Sequence, residues 1–242
     1  MKTKLHVILR KEDIKPELLS DKVALVLDIL CATSSITTAL AHQIERVIPA
    51  LNGEHALQIA QARTQQDYLL AGEFNAETLH GFSSATPLSI QQSIGDKQTL
   101  IYATTNGTIA LRHSQTAHAV YAVSLLNAQA VLNHVQQQHP QRTILFICSG
   151  SGGRFNMEDF YGAGYLISLL PYQEFELSDA ALAALHYSQS IDAIDCFRLS
   201  RVGRRLLSKN LNHELDFIAQ KNIYDIVPQL QQGEIKNILD ES

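Results

Sequence analysis

Four stretches of the chain combine carboxylates, hydroxyls, glycines and an arginine in patterns suited to holding an anion and a metal ion. "VLDILCATSSITTAL" sets Asp28 near the end of an apolar run. Five hydroxyls follow at a predicted helix start: Thr33, Ser34, Ser35, Thr37 and Thr38. The first N–H groups of a helix have no partner within it and carry partial positive charge, which suits an anion. A plain N-cap accounts for Ser34 or Ser35 but not for the whole cluster. "LLAGEF" sets Glu73 directly after a strand and a glycine. Glu73 is there either a solvated carboxylate or a partner of Asp28 across the top of a sheet. Two hard oxygen ligands of that kind suit Mg²⁺.

"TTNGT" runs from Thr104 to Thr108, with Thr105, Asn106 and Gly107 between them. An Asn-Gly pair alone is a common tight turn. Three threonines beside it at a strand end point to an anion pocket, where Gly107 permits positive φ and close approach of backbone amides. "CSGSGGRFNMEDFYGAG" carries the loop Gly150–Gly153, similar in chemistry to a phosphate cradle but without the Gly-Lys-Ser/Thr ending of a P-loop. Arg154 is suited to clamping an anion bidentately. Asn156 is placed to cap the next helix, with Glu158 and Asp159 in its first turn. First-turn acids are usually dipole partners only; these two could also complete a metal site.

The elements that must position these groups alternate. Apolar runs at Val23–Leu30, Val47–Leu51, Tyr68–Gly72, Gln98–Ala103, Ala119–Val123 and Arg142–Cys148 read as strands. Helical patterns lie between and after them: "SSITTALAHQIE", "GEHALQIAQART", "LLNAQAVLNHVQQQ", "MEDFYGAGYLISLL", "DAALAALHYSQS" and, as one largely helical stretch, "DCFRLSRVGRRLLSKNL". "IYDIVPQLQQGEI" reads as a last strand or extended segment. This alternation predicts an α/β fold, three layers α/β/α around a mostly parallel or mixed sheet. Ligands in such folds sit beyond the carboxyl ends of the strands, where all four stretches fall. The expectation is one domain over 1–242, compatible with two similar lobes of about 1–125 and 126–242.

With 242 residues, 45% of them hydrophobic, the chain can bury a sizeable core. A net charge of −5 without long like-charge blocks argues against a nucleic-acid surface. The basic cluster Arg198, Arg201, Arg204, Arg205 and Lys209 reads first as a solvated helix face, and second as a site for a small anion or a partner surface. No apolar run is long enough for a membrane span. The start "MKTKLHVILRKED" lacks the long apolar stretch of a secretory leader. Cys31, Cys148 and Cys196 are odd in number and widely spaced, as expected of free thiols in the cytoplasm. A symmetric homodimer is the default assembly.

"VLDILCATSSITTAL", "LLAGE", "HGFSSATPL", "TTNGTIAL", "SLLNAQAV", "CSGSGGRFNMEDFYGAG", "SRVGRRLL" and "DIVP", in this order, resemble the 2-phosphosulfolactate phosphatase (ComB) family from about Val23 to Pro228. The resemblance implies an α/β, magnesium-dependent acid phosphatase that converts phosphosulfolactate to sulfolactate. This is a step toward coenzyme M in methanogens, although bacterial members occur outside that pathway. It implies Mg²⁺ held by Asp28, Glu73 and Glu158 or Asp159. The catalytic set would be Asp28, Asn106 and Arg154, with Thr33, Thr104, Thr105, Gly107, Thr108, Gly150 and Gly153 on the substrate. The nucleophile is either a metal-activated water or Asp28. Three departures stand out: Cys31 and Phe74 replace arginines usual in the family, and "GFSSATP" is short. Each lost guanidinium removes a planar cation for phosphate or sulfonate. The expectation is therefore a phosphatase for a small acidic metabolite. The alternative is a member that binds a small anion without turnover.

Overall fold

The computed structural model describes residues 3–64 and 66–239. Gln65, in a glutamine-rich patch, and the first two residues of the basic start lie outside them. The first half runs β1 (Lys4–Ile8), β2 (Val23–Leu27), α1 (Ala32–Ala41), β3 (Arg46–Ala50), α2 (Gly53–Gln61), β4 (Tyr68–Phe74), β5 (Glu77–Thr78) and α3 (Pro87–Ser93). β6 (Thr99–Ala103), α4 (Gly107–His113) and β7 (Ala119–Ala122) follow. Next come α5 (Ala128–Gln138), β8 (Ile144–Cys148), α6 (Met157–Ser168), β9 (Glu176–Leu177) and α7 (Asp179–Ser190). The last elements are α8 (Ala193–Leu199), α9 (Arg201–Ser208), α10 (Asn212–Ile218), β10 (Pro228–Gln231) and β11 (Glu234–Asn237).

The strands form one mixed sheet in the order β5-β4-β6-β3-β11-β10-β7-β2-β8-β1-β9. β4, β6 and β3 pair in parallel, as do β7, β2, β8, β1 and β9. The antiparallel hairpin β10–β11 joins the two parallel groups, β10 against β7 and β11 against β3. The last extended segment is therefore a hairpin at the centre of the sheet.

Strands covered on both faces need no polar alternation, which explains the contiguous apolar runs. In β2, Val23, Leu25 and Leu27 pack with Val131, Leu132 and Val135 of α5 and with Tyr161, Leu166 and Ile167 of α6. Ala24 and Val26 point the other way. They join a cluster with Ile36, Ala39 and Leu40 of α1, Ala110 and Leu111 of α4, and Leu100 and Tyr102 of β6. That cluster belongs to both parallel groups, and α1 packs against α4 within it. A third cluster sets Ala56 and Ala60 of α2 on Ile48 and Ile101. The layered α/β expectation holds.

Two local expectations change. "DCFRLSRVGRRLLSKNL" is broken at Ser200, whose extended backbone ends α8 and whose hydroxyl accepts the Gly203 amide to cap α9. The chain start contributes β1, whose Leu5 and Val7 are buried while Lys4 and His6 are exposed. No helix among the described residues is long and apolar enough to cross a membrane.

Candidate active site

Four residues separate β2 from α1, and three separate β6 from α4. Their packing brings Asp28 against Gly107. A Cβ on Gly107 would lie 2.7 Å from Asp28 Oδ2 and 2.4 Å from the Ala32 Cβ, so only glycine fits. The sequence suggested Gly107 for positive φ; its backbone is helical at the start of α4, and what is used is its missing side chain.

A cavity of about 490 Å³ opens here, within the range of small-molecule sites. Asp28, Glu73, Thr104, Thr105 and Asn106 line it from the ends of β2, β4 and β6. Ser151, Gly152 and Asn156 line it from the loop after β8. Arg201, Arg205 and Lys209 line it from α9 and its end. Carboxylates, hydroxyl loops and cations therefore converge on one space.

Asp28 is buried, and burial pushes its carboxyl from the usual 3.8 up to about 7. The charges of Glu73 and Glu158 push the same way; Lys11 and the Ala32 amide pull down. Glu73 is fully engaged. Its Oε1 accepts the Thr105 amide at 2.7 Å, and its Oε2 accepts the Ala76 amide at 2.6 Å and the Thr105 hydroxyl at 3.1 Å. Of the two carboxylates on the wall, Asp28 is the one without this saturation.

Several predicted residues are spent on building the loops. Thr33 Oγ1 accepts the Asp28 amide at 3.1 Å. The Thr104 hydroxyl accepts the Thr108 amide, and the Thr108 hydroxyl donates back to the Thr104 carbonyl at 3.0 Å. Gly150 takes φ +62°, and its amide donates to Asp159 Oδ2 at 3.2 Å. The other Asp159 oxygen accepts the Ile29 amide at 2.9 Å. Asp159 thus clamps the chain after β2 to the loop after β8. Burial raises the pKa of both Asp159 and Glu158. Glu158 Oε1 and the Ser149 hydroxyl are buried without a hydrogen-bond partner.

Arg154 is exposed and outside the cavity lining, as is Gly153. The neighbouring Ser151 and Gly152 line the cavity instead. Asn156 does not cap α6 with its side chain; its Oδ1 accepts Arg201 Nη2 at 3.2 Å. The basic cluster is not a uniform solvated face. Arg198 pairs with Asp216 at 3.1 Å and Arg204 bonds the Leu199 carbonyl, while Arg201, Arg205 and Lys209 reach the cavity. Cys31 lines the cavity, and burial raises its thiol pKa, which disfavours the thiolate. Phe74 is exposed and away from the lining.

Lys11 is the residue that sequence reasoning missed. It follows β1 in a short 3-10 turn, is buried, and donates from Nζ to Asn106 Oδ1 at 2.9 Å and to Glu12 at 2.9 Å. Its amide donates to the Ser149 carbonyl, which ties the turn to the end of β8. The signal available was a lone lysine among charges just beyond an alternating segment.

The family model described as 2-phosphosulpholactate phosphatase matches residues 8–233. A protein of Clostridium perfringens (strain SM101 / Type A), named probable 2-phosphosulfolactate phosphatase, is 36% identical over 240 residues, covering 97% of this chain and 96% of its own. Proteins of the same name from Clostridium novyi (strain NT) and Clostridium acetobutylicum are 34% and 33% identical, each covering 96% of this chain and 99% of its own. The chain belongs to the 2-phosphosulpholactate phosphatase family.

Proposed function

We propose that this protein hydrolyses the phosphate monoester of a small acidic metabolite, 2-phosphosulfolactate or a close analogue, with Mg²⁺ as cofactor and in the cytoplasm. The observation that carries the reading is one cavity lined by the buried Asp28 carboxyl, the hydroxyl-bearing loops after β6 and β8, and the cations Arg201, Arg205 and Lys209. Family membership and the names of the relatives point to the same chemistry.

Phosphoryl transfer needs positioning and neutralisation of charge on the transferring group more than covalent chemistry. Lys11, held on Asn106, and the cations of α9 supply positive charge around the space beside Asp28. A divalent cation would hold Asp28 ionised, so in this reading Asp28 serves as a ligand, and its proton near neutral pH belongs to the ion-free site. Water forms the new P–O bond as the ester P–O bond breaks, and the proton that the water gives up goes to the leaving alkoxide. Thr104 shapes the rim through the turn it closes with Thr108, and Thr105 through its contacts with Glu73. Free thiols at Cys31, Cys148 and Cys196 agree with a reducing compartment.

No group of three or more His, Cys, Asp or Glu side chains among the described residues is arranged to hold a metal by itself. In this reading Mg²⁺ would be held by one or two carboxylates, with waters and substrate phosphate oxygens making up the rest of its shell. The partnerless Glu158 oxygen and the crowding of Asp28 by two further carboxylates leave negative charge that a divalent cation would balance. Asp28 and Glu158 would hold it; Glu73 and Asp159 have both oxygens engaged by donors. When bound, the ion would polarise the phosphoryl oxygens. The cations on α9 and Lys11 also answer the loss of arginines at positions 31 and 74, so binding without turnover is not favoured. The test is phosphate release from 2-phosphosulfolactate and a panel of phosphorylated hydroxy acids, with and without Mg²⁺. Mg²⁺-dependent turnover is expected, and absence of release across the panel would overturn the reading.

A further inference from the structure

Arg201, Arg205 and Lys209 lie four residues apart on one side of α9 and its C-terminal cap, and all three line the cavity. The outer two are committed to the walls. Arg201 Nη2 donates to the Ser151 carbonyl at 3.2 Å, to the Ser151 hydroxyl and to Asn156 Oδ1. Lys209 Nζ donates to the Ala76 carbonyl at 2.6 Å and to Glu77 Oε1 at 2.7 Å. These bonds fasten α9 to the loop after β8 on one side and to the β4–β5 hairpin on the other. Arg205, between them, makes no side-chain hydrogen bond or ion pair among the described residues. Glu77 is the nearby carboxylate, and its hydrogen bond goes to Lys209.

A guanidinium on a cavity wall with its donors unspent matches a planar or tetrahedral acid group. The region of Asp28, Gly107 and Lys11 takes the phosphoryl group in the function proposed above, and this inference rests on that reading. We propose that Arg205 is the specificity-determining cation that binds the second acid group of the substrate, a carboxylate or sulfonate. Arg201 and Lys209 are positioning residues that hold the walls on either side of it.

Phosphonates that cannot be hydrolysed separate this from turnover. Calorimetry would compare ethylphosphonate, 3-phosphonopropionate and 2-phosphonoethanesulfonate in the presence of Mg²⁺. The wild type should bind one or both of the acid-bearing compounds about 10- to 100-fold more tightly than ethylphosphonate, the scale of a charge-assisted contact. Whichever compound gains more identifies carboxylate or sulfonate. Arg205→Met should erase the preference, bringing the acid-bearing compounds level with ethylphosphonate whatever change in phosphonate affinity all three share. Arg198→Met, the same charge change on the surface pair with Asp216, should keep the preference. A preference that survives Arg205→Met, or a wild type that does not discriminate or binds none of the three, would overturn the inference. Phosphate release, measured separately, decides the phosphatase reading.

Discussion

Asp28→Asn should abolish phosphate release and at the same time stabilise the divalent-free protein at neutral and alkaline pH. The native state keeps the Asp28 proton up to about pH 7, while the unfolded chain loses it near the ordinary 3.8. The stability attached to this group is therefore complete below pH 3.8 and is lost as pH rises through about 7. A rise of about three units at about 1.4 kcal/mol each puts the cost of ionised Asp28 near 4 kcal/mol. Asparagine has almost the same shape beside Gly107 and carries no charge, so it escapes that cost. That figure already contains the opposing pull of Lys11 and the Ala32 amide, and relaxation of the site around the charge lowers it. A net gain of about 2–3 kcal/mol, or about 4–12 °C in Tm for a chain of this size, is the expectation at pH 8 in chelator. Urea unfolding of both proteins from pH 5 to pH 8 reads it directly. The gap should narrow steadily toward pH 5 and close only near pH 3.8, and Mg²⁺ should stabilise the wild type more than the variant. An Asn variant no more stable than wild type at pH 8 without divalent ions would refute the account of Asp28 as a destabilising buried charge.

Two further substitutions probe the framework. Lys11→Met removes the cation that favours ionised Asp28 and the donor to Asn106; the acidic limb of the pH–rate profile should move to higher pH and kcat/KM should fall about 10-fold or more. An unchanged profile would remove Lys11 from the site. Glu214 is buried in α10 and accepts from the Thr86 hydroxyl at 2.5 Å and the Leu88 and Ser89 amides at 3.1 and 3.3 Å, bonds that anchor the start of α3. Glu214→Ala should lower the urea midpoint by the equivalent of about 2–4 kcal/mol with an unchanged m-value, because it leaves buried donors unpaired.

What the sequence discloses follows from how local each signal is. β2 and β8 are readable because a strand covered on both faces is a continuous apolar run, and Asp28 is readable because it interrupts such a run. "TTNGT" announces a special loop. The Glu73 carboxylate that Thr105 braces is 32 residues away in sequence, and nothing in either stretch shows that the two will meet. Lys11 reaches Asn106 across 95 residues only because β1 pairs with β8 at the far side of β2. The hydroxyls of "CATSSITT" look like ligands, yet Ser34 and Ser35 donate to the Ile29 and Ala85 carbonyls. Hydroxyl-rich sequence is needed equally for holding a buried loop together and for holding a ligand, and composition does not separate the two. Arg205 and Arg204 are neighbours of identical type; only the direction of the α9 face sends one to the cavity and the other to the Leu199 carbonyl.

The central β10–β11 hairpin also governs the order in which a nascent chain can close. β3 and β7 are synthesised long before residues 228–237, yet these are the strands that the hairpin joins. Until that segment has left the ribosome, each parallel group presents an unpaired strand edge of the kind that recruits other chains. Translation that stalls before residue 228 would leave both edges open, and the released fragment would be a client for chaperones rather than a smaller working enzyme.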